Sequence, residues 1–125
     1  MRVMSRLLAA GFVLGATVAL LDAQDAPRVY TADDGVSLPV VVTRVNPQYT
    51  REAMDAGIEG TVALETVVLE NGTVADVSVT RSLDPLLGLD EQAIKALEQW
   101  KFRPGAKDGK PVRVRVHVEM TFTLK

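Results

Sequence analysis

From Val112 to Leu124, apolar and polar side chains alternate without a break. Val112, Val114, Val116, Val118, Met120, Phe122 and Leu124 fall on one face. Arg113, Arg115, His117, Glu119, Thr121, Thr123 and Lys125 fall on the other. A period of two is the spacing of a pleated strand with one buried and one solvated face, as in an antiparallel sheet. Two shorter runs repeat the pattern. In Thr61–Leu69, Val62, Leu64 and Val68 oppose Thr61, Ala63, Glu65 and Val67. In Thr73–Thr80, Ala75, Val77 and Val79 oppose Asp76 and Ser78. Glu70-Asn71-Gly72 stands between these runs. Asparagine followed by glycine tolerates positive φ at both positions, so the spacing predicts a hairpin.

The period changes to 3.6 after Asp90. Ala93, Ile94, Leu97 and Trp100 form one apolar stripe, with Glu91, Lys95, Glu98 and Gln99 around it. Asp90 has the chemistry of an N-cap, and Leu89 with Ile94 has the spacing of a hydrophobic staple. This helix is expected to end in Trp100-Lys101-Phe102-Arg103-Pro104-Gly105, with Trp100 in the core. A shorter helix is expected over Arg51–Ala56, capped by Thr50 and stopped by Gly57. Val36–Val42 is apolar, but Pro39 restricts it to an edge strand or an extended arm. Lys107-Asp108-Gly109-Lys110, closed by Pro111, reads as a turn. The order helix, hairpin, helix, strand predicts an α+β domain in two layers. Its three-stranded antiparallel sheet would carry two helices packed on one face.

The chain's start reads differently. Arg2 and Arg6 precede an apolar run from Leu7 to Leu21, and Leu21-Asp22-Ala23 offers a small residue for cleavage. That is the pattern of a secretory signal peptide over residues 1–23. A short uncleaved anchor is the alternative, although about 15 helical residues span only ~22 Å of a ~30 Å hydrocarbon layer. Residues 24–35 are polar and aperiodic, as in a linker, and residues 36–125 form the expected domain.

The chain has 125 residues, no cysteine and a net charge of −2. Lack of cysteine removes disulfides, thiolate metal sites and cysteine lipidation, so the apolar core alone must hold the fold. The near-neutral charge offers no global field for nucleic acid. Lys101, Arg103, Lys107, Lys110, Arg113 and Arg115 are a local exception. They read as a solvated face, or as a surface for an acidic segment or lipid head groups.

Catalysis is not indicated. The single histidine, His117, lies mid-strand between Arg115 and Glu119 on the polar face. Asp33-Asp34 falls in the linker, and Asp90-Glu91 at a helix start, where negative charge suits the dipole. No glycine-rich loop joins a strand to a helix, so no phosphate cradle or cofactor is implied.

Pro47-x-Tyr49 and Ala53 precede Gly57-Ile58-Glu59-Gly60-Thr61-Val62. Asn71-Gly72-x-Val74, Gly88-Leu89-Asp90, Ala93 and Trp100-x-Phe102-x-Pro104-Gly105 follow in order. This series resembles the C-terminal domain of the TonB family over most of the segment from Val36 to Leu124. The resemblance implies a periplasmic binding module linked to transmembrane transport. It would capture the TonB box of an outer-membrane receptor as an added strand, a β-augmentation. The partner-binding residues it implies are Asn46, Pro47, Gln48 and Tyr49, at the place of the family's Gln-Pro-Gln-Tyr segment. On the last strand they are Arg113, Arg115, His117, Glu119 and Thr121. Asn46 shortens one amide relative to the family. The family's Pro-rich linker is also not matched here, nor is its anchor histidine between Met1 and Leu21. Two alternatives stay open. One is a short tethered transducer in the inner membrane, facing the periplasm and working with inner-membrane motor proteins. The other is a structural domain that pairs its last strand with a second copy as a homodimer.

Overall fold

The computed structural model describes residues 27–125; the signal-peptide reading of residues 1–23 lies outside them. In chain order the elements are β1 (Val29–Tyr30), a 3-10 turn (Ala32–Asp34), β2 (Val40–Thr43) and α1 (Arg51–Asp55). Then follow β3 (Gly60–Val68), β4 (Val74–Arg81), α2 (Leu89–Leu97), β5 (Lys101–Arg103), β6 (Gly105–Lys107) and β7 (Lys110–Phe122). The expected three-stranded antiparallel unit is present as β7, β3 and β4. The α+β class therefore stands.

Two additions make the sheet mixed. β1, from the stretch read as a linker, pairs in parallel with β7, and β6 folds back antiparallel onto the start of β7. β2 and β5 form a separate two-stranded ribbon, with Val41 opposite Phe102 and Val40 opposite Arg103. The second helix is shorter than the apolar stripe suggested. It ends at Leu97, because Phe102 must lie in a strand to bury its ring beside Trp100, 6.0 Å away between ring centres.

Val62, Leu64 and Val68 of β3 pack with Leu89, Ala93 and Leu97 of α2, all fully buried. Ala53 of α1, Trp100, Phe102, Met120 and Phe122 complete this core. The hairpin loop is a three-residue turn rather than a two-residue one. Gly72 N–H donates to Leu69 C=O, Leu69 N–H donates to Thr73 C=O, and among the loop residues only Gly72 has positive φ, at 88°. Glycine is required there for a second reason. A Cβ would run into the carbonyl oxygen of Phe102, whose own N–H donates to Gly72 C=O at 2.8 Å.

The start of α2 also differs from expectation. Its N-cap is Gly88, not Asp90. The Asp90 carboxylate instead accepts from the N–H groups of Leu83 and Asp84 and from the Ser82 hydroxyl. Asp84, buried in the loop before the helix, accepts from Leu86, Leu87 and Leu89 N–H. The two aspartates thus divide the loop's free donors between them. Burial alone would raise the pKa of Asp90, but the hydrogen bonds from Asp84, Ser82 and Leu83 outweigh it and hold the group below its ordinary value.

Candidate functional site: an open strand edge and its groove

β7 is paired along one side by β3 in an unbroken register, from Gly60 opposite Phe122 to Val68 opposite Val114. On its other side, β1 covers Arg113 and Val114, while β6 pairs with Lys110–Val112 beyond the end of β3. Among the described residues no strand pairs with that side from Arg115 onward. About eight residues of edge therefore remain, a length of roughly 27 Å.

The hairpin fixes which backbone groups face this edge. Leu69 bonds Thr73, so its backbone faces β4. Alternation along β3 then turns Val68, Thr66, Leu64 and Val62 toward β7, where they meet Val114, Val116, Val118 and Met120. The backbone groups of Arg115, His117, Glu119 and Thr121 consequently point to the open side. Apart from the Arg115 N–H, which the Tyr30–Val114 bridge engages, they are unpaired donors and acceptors of the kind an incoming strand satisfies.

Beside this edge runs a groove of about 590 Å³. Val116, Val118 and Met120 line it from the sheet, and Leu38, Pro39, Val41, Arg44, Val45, Asn46 and Pro47 line it from the arm that carries β2. Trp100 and Phe102 contribute aromatic wall. Trp100 is both core and wall. Its indole N–H donates to Val45 C=O at 2.8 Å, and the Arg44 guanidinium lies 5.2 Å over its ring. The rim carries Arg115, His117, Glu119 and Thr121. Glu65 accepts from Arg115 at 3.2 Å and lies 3.6 Å from His117 Nδ1, so one carboxylate serves both side chains on the polar face. Among the described residues, no group of three or more His, Cys, Asp or Glu side chains could hold a metal ion.

The structure distributes the sequence-derived partner residues unevenly. Asn46, Pro47, Arg115, His117, Glu119 and Thr121 converge on the groove. Gln48 lines a neighbouring cleft of about 380 Å³ with Gln92, Lys95 and Gln99, and Asn46 and Pro47 border both. Tyr49 turns inward. Its ring packs edge-on to Phe122 at 5.3 Å and its hydroxyl donates to Ile58 C=O. Desolvation, and then the charge of Glu59, push the Tyr49 phenol above its ordinary pKa. Arg113 pairs with Glu70 at 3.0 Å, on the stretch of β7 that β1 covers. The apolar groove wall of Val41, Val45 and Phe102 was missed in the sequence. Its only signal was the apolar run over Val36–Val42, read as an edge strand or an extended arm.

Comparison with known proteins agrees with this geometry. The family model described as Gram-negative bacterial TonB protein C-terminal matches residues 45–124. A protein TonB of Vibrio cholerae is 37% identical over 91 residues, which are 72% of this chain and 37% of that protein. A protein TonB of Xanthomonas campestris is 35% identical over 94 residues, covering 74% of this chain and 42% of that protein. The chain thus spans about two fifths of the length of these relatives. The solution NMR structure of the Pseudomonas aeruginosa TonB CTD matches 76% of this chain and 93% of its own, at a TM-score of 0.58 and 25% identity.

Proposed function

Because this chain belongs to the TonB C-terminal family, we propose that its domain binds an extended segment of an outer-membrane receptor in the periplasm. The segment adds as a strand to the open edge of β7 and so contributes to transport across the outer membrane. The observation that carries this reading is the unpaired edge from Arg115 to Phe122 lying beside an apolar groove.

The chemistry is recognition without bond making. Main-chain hydrogen bonds to Arg115, His117, Glu119 and Thr121 supply affinity that is largely independent of side chain. Alternate side chains of the segment would enter the groove against Val116, Val118 and Trp100. The others would face the rim of Arg115, His117 and Glu119, which selects their charge. Asn46 and Pro47 form the opposite lip, and Gln48 stands ready for the flanking part of the receptor.

The protein contains a single tryptophan, and it lines the groove. Titration with synthetic peptides carrying a TonB box should therefore shift Trp100 fluorescence saturably. A scrambled peptide of equal composition should not. Equal responses to the two peptides would remove strand addition at this groove. Coupling to an inner-membrane motor belongs to the tethered alternative, and the mature N-terminus of the native protein separates the two: a start near Gln24 excludes the tether, and a start at Met1 requires it.

A further inference from the structure

Charge is segregated on this molecule. Residues 36–50 and 99–107 contain Arg44, Lys101, Arg103 and Lys107 and no carboxylate. The rest of the chain holds the other ten lysines and arginines against all 16 acids, so the two segments are basic within a chain whose net charge is −2. These two segments are adjacent in space, since β2 and β5 pair with each other.

The ribbon they form has two unlike faces. Val41 and Phe102, directly opposite each other, turn toward the core. The neighbouring positions turn to solvent: Val40 is 52% exposed and Val42 64%. Arg103 stands directly across from Val40, and Lys101 pairs with Thr43 beside Val42, both exposed. Among the described residues, neither Lys101 nor Arg103 makes an ion pair. The outer face thus interleaves bare aliphatic side chains with two uncompensated cations.

We propose that the outer face of the β2–β5 ribbon is a contact surface for an anionic lipid bilayer. Cations draw the ribbon to charged head groups, and short aliphatic side chains enter the boundary between head groups and acyl chains. Both halves of that pattern are needed. An acidic protein segment that met Lys101 and Arg103 alone would leave Val40 and Val42 in water. A planar interface satisfies the two together. The groove opens on the other side of the same arm, so a lipid-bound domain keeps the β7 edge free. The reading is independent of receptor binding and its test contains no receptor peptide.

The native chain has no cysteine, which allows one environment-sensitive probe to be placed at will. Val42→Cys carries an NBD label on the ribbon, and Ser78→Cys carries it on exposed β4 as the reference. Each full-length protein is titrated with vesicles of phosphatidylcholine alone, and with vesicles in which about a third is phosphatidylglycerol. The proposal expects the label at 42 to brighten and shift to the blue only with anionic vesicles, while the label at 78 stays unchanged. Adding Lys101→Glu and Arg103→Glu should weaken the response at 42 about tenfold or more, as should raised salt. Adding Val40→Ser should weaken it with the charges intact. No shift at 42, equal shifts at 42 and 78, or indifference to the charge reversal would each overturn the proposal. A response lost on charge reversal but unchanged by Val40→Ser would also overturn it, leaving a purely ionic contact. Thermal melts of the exposed-site variants check that each is folded.

Discussion

If a partner strand is completed by β7, proline should distinguish the two sides of that strand one residue at a time. His117 lies opposite Glu65, and Val118 opposite Leu64. The hairpin register directs the N–H of His117 to the open edge and that of Val118 into the β3 ladder. Proline removes one donor and adds a ring where the N–H was. In His117→Pro no internal hydrogen bond is lost, and edges tolerate proline, so stability should fall by no more than about 1 kcal/mol. Binding should suffer more. The lost bond and the partner carbonyl left without a donor are together worth about 1–3 kcal/mol, or roughly tenfold to a hundredfold in affinity. In Val118→Pro a bond at the centre of the three-stranded unit disappears and the ring collides with β3. That should cost about 3 kcal/mol or more and expose the core. Thermal denaturation followed by circular dichroism, with peptide titration by Trp100 fluorescence, reads both quantities. A folded His117→Pro protein that binds with unchanged affinity would refute strand addition here. The opposite pattern, with His117→Pro unfolded and Val118→Pro stable, would refute the assigned backbone direction.

Gly72→Ala combines a left-handed backbone at φ 88° with a Cβ driven into Phe102 C=O, and should cost about 3 kcal/mol or more in a denaturant melt. A loss below about 1 kcal/mol would mean that the turn and β5 can part freely. Asp84→Ala deprives Leu86, Leu87 and Leu89 N–H of their acceptor, with an expected cost of about 2–4 kcal/mol, whereas Asp84→Asn should retain part of it. Equal melts for wild type and Asp84→Ala would contradict the capping role. Asp90 has a folded pKa below its unfolded value, so its contribution is present above the unfolded value and is lost as pH falls through the folded one. Asp90→Asn should accordingly lower stability at neutral pH and flatten its decline below about pH 4. An acid limb as steep as that of wild type would assign the pH dependence elsewhere.

The features legible in the sequence are those set by local period. β7, the hairpin and α1 with its Thr50 cap all follow from alternation, turn chemistry and capping residues, and Thr50 Oγ1 does accept from Ala53 N–H. The end of α2 was not legible, because Trp100 fits a helical stripe as well as it fits the turn after Leu97. What decides is the distant pairing of Phe102 with Val41. Asp90 looks like a cap from its position alone; only the folded loop shows Asp84 occupying that role from five residues before Leu89. β1 has two residues and no period to detect, yet it sets where the open edge begins. The groove was half legible for the same reason. Its rim follows from the polar face of β7, but its apolar wall exists only once the β2 arm has folded beside that strand.

The sheet's two edges are treated differently, and the contrast bears on which one is for use. β4, the far edge, is interrupted twice: its register with β3 shifts between Glu65 and Val67 and again between Ala63 and Leu64. Asp76 sits at positive φ, 54°, in the first interruption. Bulges of this kind twist an edge and break its row of donors and acceptors, which protects it from unwanted pairing. β7 has no such interruption over the nine positions it shares with β3, and on its other side β1 covers only Arg113 and Val114. An unprotected edge is an aggregation hazard unless its occupant is specific. Here the groove supplies that specificity, because a strand seated on β7 must also place alternate side chains against Val116, Val118 and Trp100. Blunting the remaining edge with Thr121→Pro should therefore leave a stable domain, with about tenfold or greater loss of receptor-peptide affinity. Pro substitution in already bulged β4, at Thr80, should leave that affinity unchanged. Equal losses from the two would mean that the sheet responds as a whole and that the open edge of β7 has no privileged role.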